Sequence, residues 1–417
     1  MMEAIGGLLP SLLQTLERIG WAQRHLHPPL AGRLAAALSP CADAMVAPLH
    51  AVETAECADD LRFIRDRLVD VSRQTLELVR AFDEATRSPG DMMGLYRALR
   101  RFARAQETLY PLAPIFDPVS RWFLEPARRD DDALVARLRA AALRDDDDAR
   151  RTGVLHASNE RDERGGFSLY VPEQSDAQRP MPLVVALHGG HGHGRDFLWS
   201  WLREARSREV LMLSPTSRNR TWSITGGDDV DAEPLRKMVE SVAERYPVDR
   251  TRVLLTGMSD GATYALLCGL RDGMPFTHLA PLCGVLHPML LANGDLVHAR
   301  NMPVYLVHGV LVSRPDGASR PPGSHGGGDP ARLPGSRRPL SHLPARRKSE
   351  DPRLAGRPYC SSGRVKVNVE PAPSALVTQI LPPWSSMNLR DSASPSPVPS
   401  TFLSAVPTCR NSSKTAS

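Results

Sequence analysis

A serine set between two glycines is the pattern in this 417-residue chain that bears most directly on chemistry. Thr256-Gly257-Met258-Ser259-Asp260-Gly261 reads G-x-S-x-G. It follows the apolar run Val253-Leu254-Leu255 and opens a stretch with helical character, residues 262–270. A strand that turns sharply into a helix holds such a serine in a strained conformation and lifts its Oγ clear of the sheet edge. Gly257 and Gly261 form that elbow, because a side chain at either would strike a neighbouring strand or helix. A serine hydroxyl is a weak nucleophile by itself. The chemistry therefore also needs a base for its proton, a carboxylate to orient the base, and donors for a developing oxyanion.

A second block lies upstream. Pro182-Leu183-Val184-Val185-Ala186-Leu187 is a continuous apolar run, as expected for a strand buried on both faces. It ends in His188-Gly189-Gly190-His191-Gly192-His193-Gly194. The histidine spacing H-x-x-H-x-H is rich in metal ligands. No acidic or cysteine partner sits at a ligand spacing nearby, so no metal and no cofactor is expected.

The runs PLVVALHGGHGHGRDFLW, LMLSPTSRNRTWS and PVDRTRVLLTGMSDGATYALL resemble the phospholipase/carboxylesterase branch of the α/β-hydrolase superfamily. Polyhydroxybutyrate-depolymerase-like esterases are similar in pattern. The resemblance covers residues 165–309, about a third of the chain, and is specific for the superfamily rather than for a substrate. It implies that Ser259 attacks the carbonyl of a small-molecule carboxylic ester to form an acyl-enzyme. It also implies backbone oxyanion donors in the Gly189, Gly190 and Asp260 region.

The elements that must position these residues follow from periodicity. Phe167-Ser168-Leu169-Tyr170-Val171 alternates as an early strand, and residues 210–213 and 253–255 read as central parallel strands. Residues 277–286 and 304–307 give two more. Between them, residues 232–245 carry Leu235, Met238, Val239, Val242 and Ala243 at crossover-helix spacing. The expected fold class is α/β. Residues 151–312 form a mostly parallel α/β-hydrolase sheet, incomplete at its C-terminal edge, and residues 1–150 form an all-helical N-terminal domain.

In that domain Leu8, Leu9, Leu12, Leu13, Leu16 and Ile19 make one helical stripe. Leu61, Ile64, Leu68, Val71, Leu76, Val79 and Phe82 make another, and residues 95–105 and 134–143 suggest two further helices. Pro89-Gly90, Pro111 and Pro114 punctuate them, and residues 145–151 read as a charged linker. Asp130-Asp131-Asp132 reads as a helix N-terminal cluster. Such a bundle can serve as a lid, form a homodimer or dock a partner, and all three roles stay open.

The N-terminus has Glu3 and no basic n-region or small-residue cleavage pattern. No run approaches the ~18 apolar residues that span a bilayer. The six cysteines show neither framework nor zinc spacing, and Cys268 and Cys283 read as buried thiols. A cytoplasmic protein is the expectation.

After Leu311 the pattern collapses. Residues 313–417 hold 17 of the 37 prolines and 15 Lys+Arg against 6 Asp+Glu, so the basic balance of the chain comes from this tail. A basic Pro/Arg/Ser-rich composition of this kind cannot bury a core and reads as disordered. Its start inside a strand–helix unit suggests a shifted reading frame. The codons allowed for residues 332–344, read one nucleotide later, can encode V-Y-R-E-V-D-D-L-S-H-T-Y, and continuing from the codon of Pro344 through residue 357 the same offset allows P-R-E-E-N-A-R-I-L-D-W-L-A. That is a strand, a histidine loop and an amphipathic closing helix.

In the frame as given, the family's acid after Gly309 is absent, with Val312-Ser313-Arg314 in its place. His342 has basic, proline-rich flanks unsuited to a catalytic base, and His278, His287, His298 and His308 read as structural. The expected function is thus a serine hydrolase of carboxylic esters with impaired activity and an exposed final sheet edge. The alternative is a catalytically inactive hydrolase scaffold or binding protein. The tail lacks interleaved aromatics beyond Tyr359, Trp384 and Phe402, so no specific nucleic-acid recognition is expected.

Overall fold

A computed structural model describes residues 1–88, 91–144, 151–175 and 178–308, together with a strand at 365–368. The chain begins with helices α1 (Met2–Arg24), α2 (Ala31–Thr54), α3 (Arg62–Arg87), α4 (Met92–Leu109), α5 (Asp117–Trp122) and α6 (Asp132–Ala142). The stripes of α1 and α3 bury Leu8, Leu12, Leu16 and Ile19 against Leu68, Val71, Leu78 and Phe82. Asp131 caps α6, its carboxylate accepting from Leu134 N–H at 3.0 Å, with Asp132 in the first turn. The acidic triple therefore serves a helix start, as its sequence suggests.

The sequence pattern does not foresee α2. Alanines and the internal Pro40 and Pro48 dilute its stripe, yet Leu34, Leu38, Met45, Leu49 and Val52 are buried at helical spacing. By length and composition α2 is also the one helix among the described residues able to cross a membrane, with 33% of its apolar window buried. Counting unbroken apolar runs overlooks it.

The sheet comprises β1 (Gly153–Ala157), β2 (Phe167–Val171), β3 (Met181–Leu187), β4 (Leu211–Pro215), β5 (Val248–Met258), β6 (His278–Leu282), β7 (Tyr305–His308) and β8 (Val365–Asn368). Its order is β1-β2-β4-β3-β5-β6-β7-β8, with β4, β3, β5, β6 and β7 parallel and both ends antiparallel. Helices α7 (Gly194–Phe197), α8 (Leu202–Arg208), α9 (Ala232–Arg245), α10 (Asp260–Gly269) and α11 (Pro288–Ala292) intervene. This is an α/β-hydrolase-like fold behind a helical N-terminal region, as the sequence suggests. Two details differ. The edge strand β1 is unforeseen, and the edge expected to lie open at β7 is paired by β8 from the tail, Tyr305 opposite Asn368. Residues 309–312 of the expected core, the rest of the tail at 313–364 and 369–417, and the linker residues 145–150 lie outside the described residues.

Alternation along β3 explains why both sheet faces are covered. Leu183, Val185 and Leu187 join Leu235, Val239 and Val242 of α9 and Leu266 of α10 in one apolar cluster. Val184 and Ala186 belong to a second cluster, which runs through Phe197, Trp199 and Trp201 into the N-terminal helices. The helical segment thus packs over one face of the sheet instead of standing apart from it. Trp199 makes that junction, edge-on to Tyr110 at 5.6 Å.

Candidate active site

β5 ends at Met258 and α10 starts at Asp260, so a single residue turns the chain between them. That residue, Ser259, sits at φ 56° and ψ −117°. A non-glycine residue in such a region costs about 1–3 kcal/mol and persists where its surroundings over-determine it. Here Ser259 N–H donates to Leu282 O on β6 at 3.0 Å, and Ser259 O accepts from Ala262 N–H and Thr263 N–H at 2.9 and 3.0 Å. The elbow glycines have no room for a side chain. A Cβ on Gly257 would fall 2.5 Å from the Gly261 carbonyl, and one on Gly261 would fall 2.4 Å from His188 O. Ser259 itself is exposed.

The parallel register brings the end of β3 level with this elbow, Leu187 opposite Gly257. The chain then reverses at Gly189–Gly192, closed by Gly192 N–H donating to Gly189 O at 2.9 Å. Gly189 lies against the serine, since a Cβ there would be 3.7 Å from Ser259 Cβ. Gly190 faces Asp260, whose Oδ2 occupies the space a Cβ would need, at 2.4 Å. Thr221 Oγ1–H donates to that carboxylate at 2.7 Å. All six residues singled out in the sequence, Gly189, Gly190, Gly257, Ser259, Asp260 and Gly261, therefore meet at one place on the carboxyl edge of the sheet.

The histidines of the loop are structural props. His188 Nδ1–H donates to Gly189 O at 2.7 Å, and its Nε2 accepts from Ser217 N–H at 3.1 Å. Burial pushes its pKa down to about 3, and nearby guanidinium groups such as Arg164 push the same way. His193 likewise donates through Nε2 to Glu163 O and accepts at Nδ1 from Arg195 N–H. Neither ring keeps a free lone pair for a metal.

Several positioning groups escape the sequence reading. Trp222 Nε1–H donates to His188 O at 2.8 Å, and its ring stacks on Tyr264 at 5.4 Å. Trp222 and Trp199 are packing residues, whereas Met258 is 37% exposed beside the serine. Arg164 Nε donates to Ser217 O at 2.9 Å and its Nη2 to Ser217 Oγ at 2.7 Å, from 53 residues away. Nothing local in the sequence announces such partners. Cys268 is buried, and burial pushes its thiol up to about 12. Cys283, expected to be buried, is instead partly exposed at φ 58°, just beyond β6.

Among the described residues no imidazole is hydrogen-bonded to Ser259 Oγ. His287 accepts at Nδ1 from Met289 N–H and donates through Nε2 to Ile224 O. His298 Nδ1 bonds Leu270 O, and His278 Nδ1 meets Thr277 Oγ1. His308 closes β7, with its pKa pushed down by burial. Val312, Ser313, Arg314 and His342 lie outside the described residues.

No family model matches the chain. Among curated proteins, a probable feruloyl esterase C of Aspergillus flavus is 26% identical over 123 residues, 27% of this chain and 43% of that protein. The feruloyl esterase C of Emericella nidulans is 30% identical over 111 residues, 24% of this chain and 40% of that protein. The chain thus matches less than half the length of these relatives. Among solved structures, a thermostable esterase is 20% identical with a TM-score of 0.30, covering 37% of this chain and 45% of that one. By fold the chain is α/β-hydrolase-like, and the curated proteins to which its sequence is similar are feruloyl esterases.

Proposed function

We propose that the chain is built for ester hydrolysis with Ser259 as nucleophile. The backbone N–H groups of the Gly189 and Gly190 loop and of Asp260 receive the oxyanion. Ser259 adds to the carbonyl carbon of a carboxylic ester, the alcohol leaves with a proton, and water then cleaves the acyl-enzyme. The observation that carries this reading is the strained Ser259 backbone, φ 56° and ψ −117°, locked between two glycines that admit no Cβ. The names of the curated relatives make feruloyl esters the first substrates to try.

The base and acid of the triad belong after β7, and we read residues 313–417 as the product of a shifted frame that removes them. Activity is then low in this chain, since oxyanion donors alone leave about 10³–10⁴-fold over water in proteases stripped of their triad. Sequencing the coding DNA from Tyr305 to Pro358 tests the shift. A neighbouring frame that spells a strand, a histidine loop and a closing helix supports it.

A second reading, a hydrolase scaffold without turnover, is favoured by the lack of an imidazole bonded to Ser259 Oγ among the described residues. Labelling with a fluorophosphonate separates the two. Slow labelling that disappears in Ser259→Ala supports the nucleophile, and equal signals from both proteins reject it.

A further inference from the structure

The loop between β3 and α7 is held from outside the hydrolase sheet. Arg100 and Glu107 lie seven residues apart on α4, two turns along a helix and hence on one face. Arg100 Nη2–H donates to His191 O at 2.7 Å, across 91 residues of sequence. Glu107 accepts from Arg195 Nε–H at 2.8 Å, in the first turn of α7, and pairs with Arg161 as well. The same helix face therefore grips the loop at its middle and at its exit.

The middle is where a grip has most effect. His191 is the third residue of the turn closed by Gly192 N–H and Gly189 O, and it sits at φ 56°. That turn position favours glycine or asparagine, because a Cβ is strained there. His191 N–H is fixed by donation to Arg220 O at 2.8 Å, and Arg100 fixes its carbonyl. With both ends of this strained residue tied, Gly189 and Gly190 are kept against Ser259 and Asp260.

We infer that Arg100, with Glu107 as its second anchor, is a positioning residue for the oxyanion loop, so that the N-terminal helical segment is part of the catalytic unit. The inference rests on the ester-hydrolase reading for its catalytic meaning, though not for the clamp itself. Removing the guanidinium frees the His191 carbonyl and lets the turn relax toward unstrained backbone. The amides that should meet the oxyanion then lose their alignment, although substrate can still enter.

The test uses the full chain with Arg100→Ala, Arg100→Lys and, as a control on the same helix, Arg97→Ala, whose exposed side chain, among the described residues, bonds only its own helix at Met93 O. Hydrogen exchange of residues 187–194 reads the clamp without requiring turnover. Exchange there should rise about tenfold in Arg100→Ala, stay unchanged in Arg97→Ala, and fall back when free guanidinium is added. In hydrolysis of p-nitrophenyl acetate, Arg100→Ala should lower kcat about tenfold with KM within twofold, a pattern of lost transition-state contact. Arg100→Lys keeps the charge and loses the fork, so it should fall between, and it stands in if the alanine variant does not fold.

Loop protection unchanged in a folded Arg100 variant overturns the clamp, whatever the turnover. Increased exchange in a chain whose wild type shows no Ser259-dependent fluorophosphonate labelling upholds the clamp and removes the hydrolase reading.

Discussion

The Cβ that Gly261 lacks would lie 2.4 Å from the carbonyl oxygen of His188 and 2.5 Å from that of Leu187. The helix that follows Ser259 and the loop that faces it therefore touch backbone to backbone. Gly261→Ala must push these two apart, and neither is the flexible end of a side chain. Overpacking of this kind costs about 1–3 kcal/mol. A thermal melt should show a lower midpoint, and the Ser259-dependent fluorophosphonate signal should fall more steeply than the folded fraction. A midpoint equal to wild type would contradict the contact.

The strain at Ser259 gives a prediction of opposite sign. Its φ of 56° and ψ of −117° suit glycine and not an L side chain. Ser259→Gly should stabilise the fold by about 1 kcal/mol while eliminating labelling, as expected where local strain is held by the surrounding structure. Ser259→Ala keeps its Cβ and should gain little. Denaturant midpoints of the two variants measure the difference, and a glycine variant no more stable than the alanine one would argue against a strained elbow.

What was legible in the sequence was local. The elbow glycines, the apolar β3 and the helical stripes of α1 and α3 announce themselves through spacing, because period and steric demand act over a few residues. The pairing of Trp222 with His188 and of Arg100 with His191 joins residues 34 and 91 positions apart and leaves no local trace. β1 was missed for a related reason. As an edge strand buried mainly at Gly153, it carries no apolar run. Periodicity also says nothing of where the bundle docks. The tryptophans that join it to the sheet, Trp199 and Trp201, could equally have lined a pocket.

Acid should loosen the loop before the core. Burial holds the His188 pKa down at about 3, below its ordinary value of 6.5. A histidine depressed in the fold stabilises it fully above the unfolded pKa. The contribution is lost as pH falls from about 6.5 toward 3, because the unfolded chain then binds the additional proton. Glu107 acts in the same direction at lower pH. Burial alone would raise its carboxyl, yet bonds from His156, Arg195 and Arg161 outweigh burial and hold it at about 2. Stability measured by urea titration should decline from pH 6.5 to 3, and His188→Asn should flatten the upper part of that slope. An unchanged slope in the variant would assign the acid sensitivity elsewhere.

The last prediction concerns the joint between the helical segment and the sheet. Arg206, buried on α8, donates to Glu173 Oε1 at 3.0 Å and to Ser120 O of α5 at 2.7 Å. Tyr110 of the bundle and Tyr170 of β2 both donate hydroxyls to the same carboxylate. Burial pushes the Glu173 pKa up, but Arg206 and the two hydroxyls more than compensate, and the carboxyl is held below its usual range. Removing one partner of such a pair leaves a charge without its counter-ion, at a cost of about 3–5 kcal/mol. Arg206→Met alone should therefore unfold the protein at markedly lower urea. Arg206→Met with Glu173→Gln removes both charges and should recover much of the loss, since one tyrosine hydroxyl can still donate to the amide oxygen while the other accepts from the amide N–H. A double variant as unstable as the sum of the singles would mean that the two residues act independently and that this network does not hold the joint.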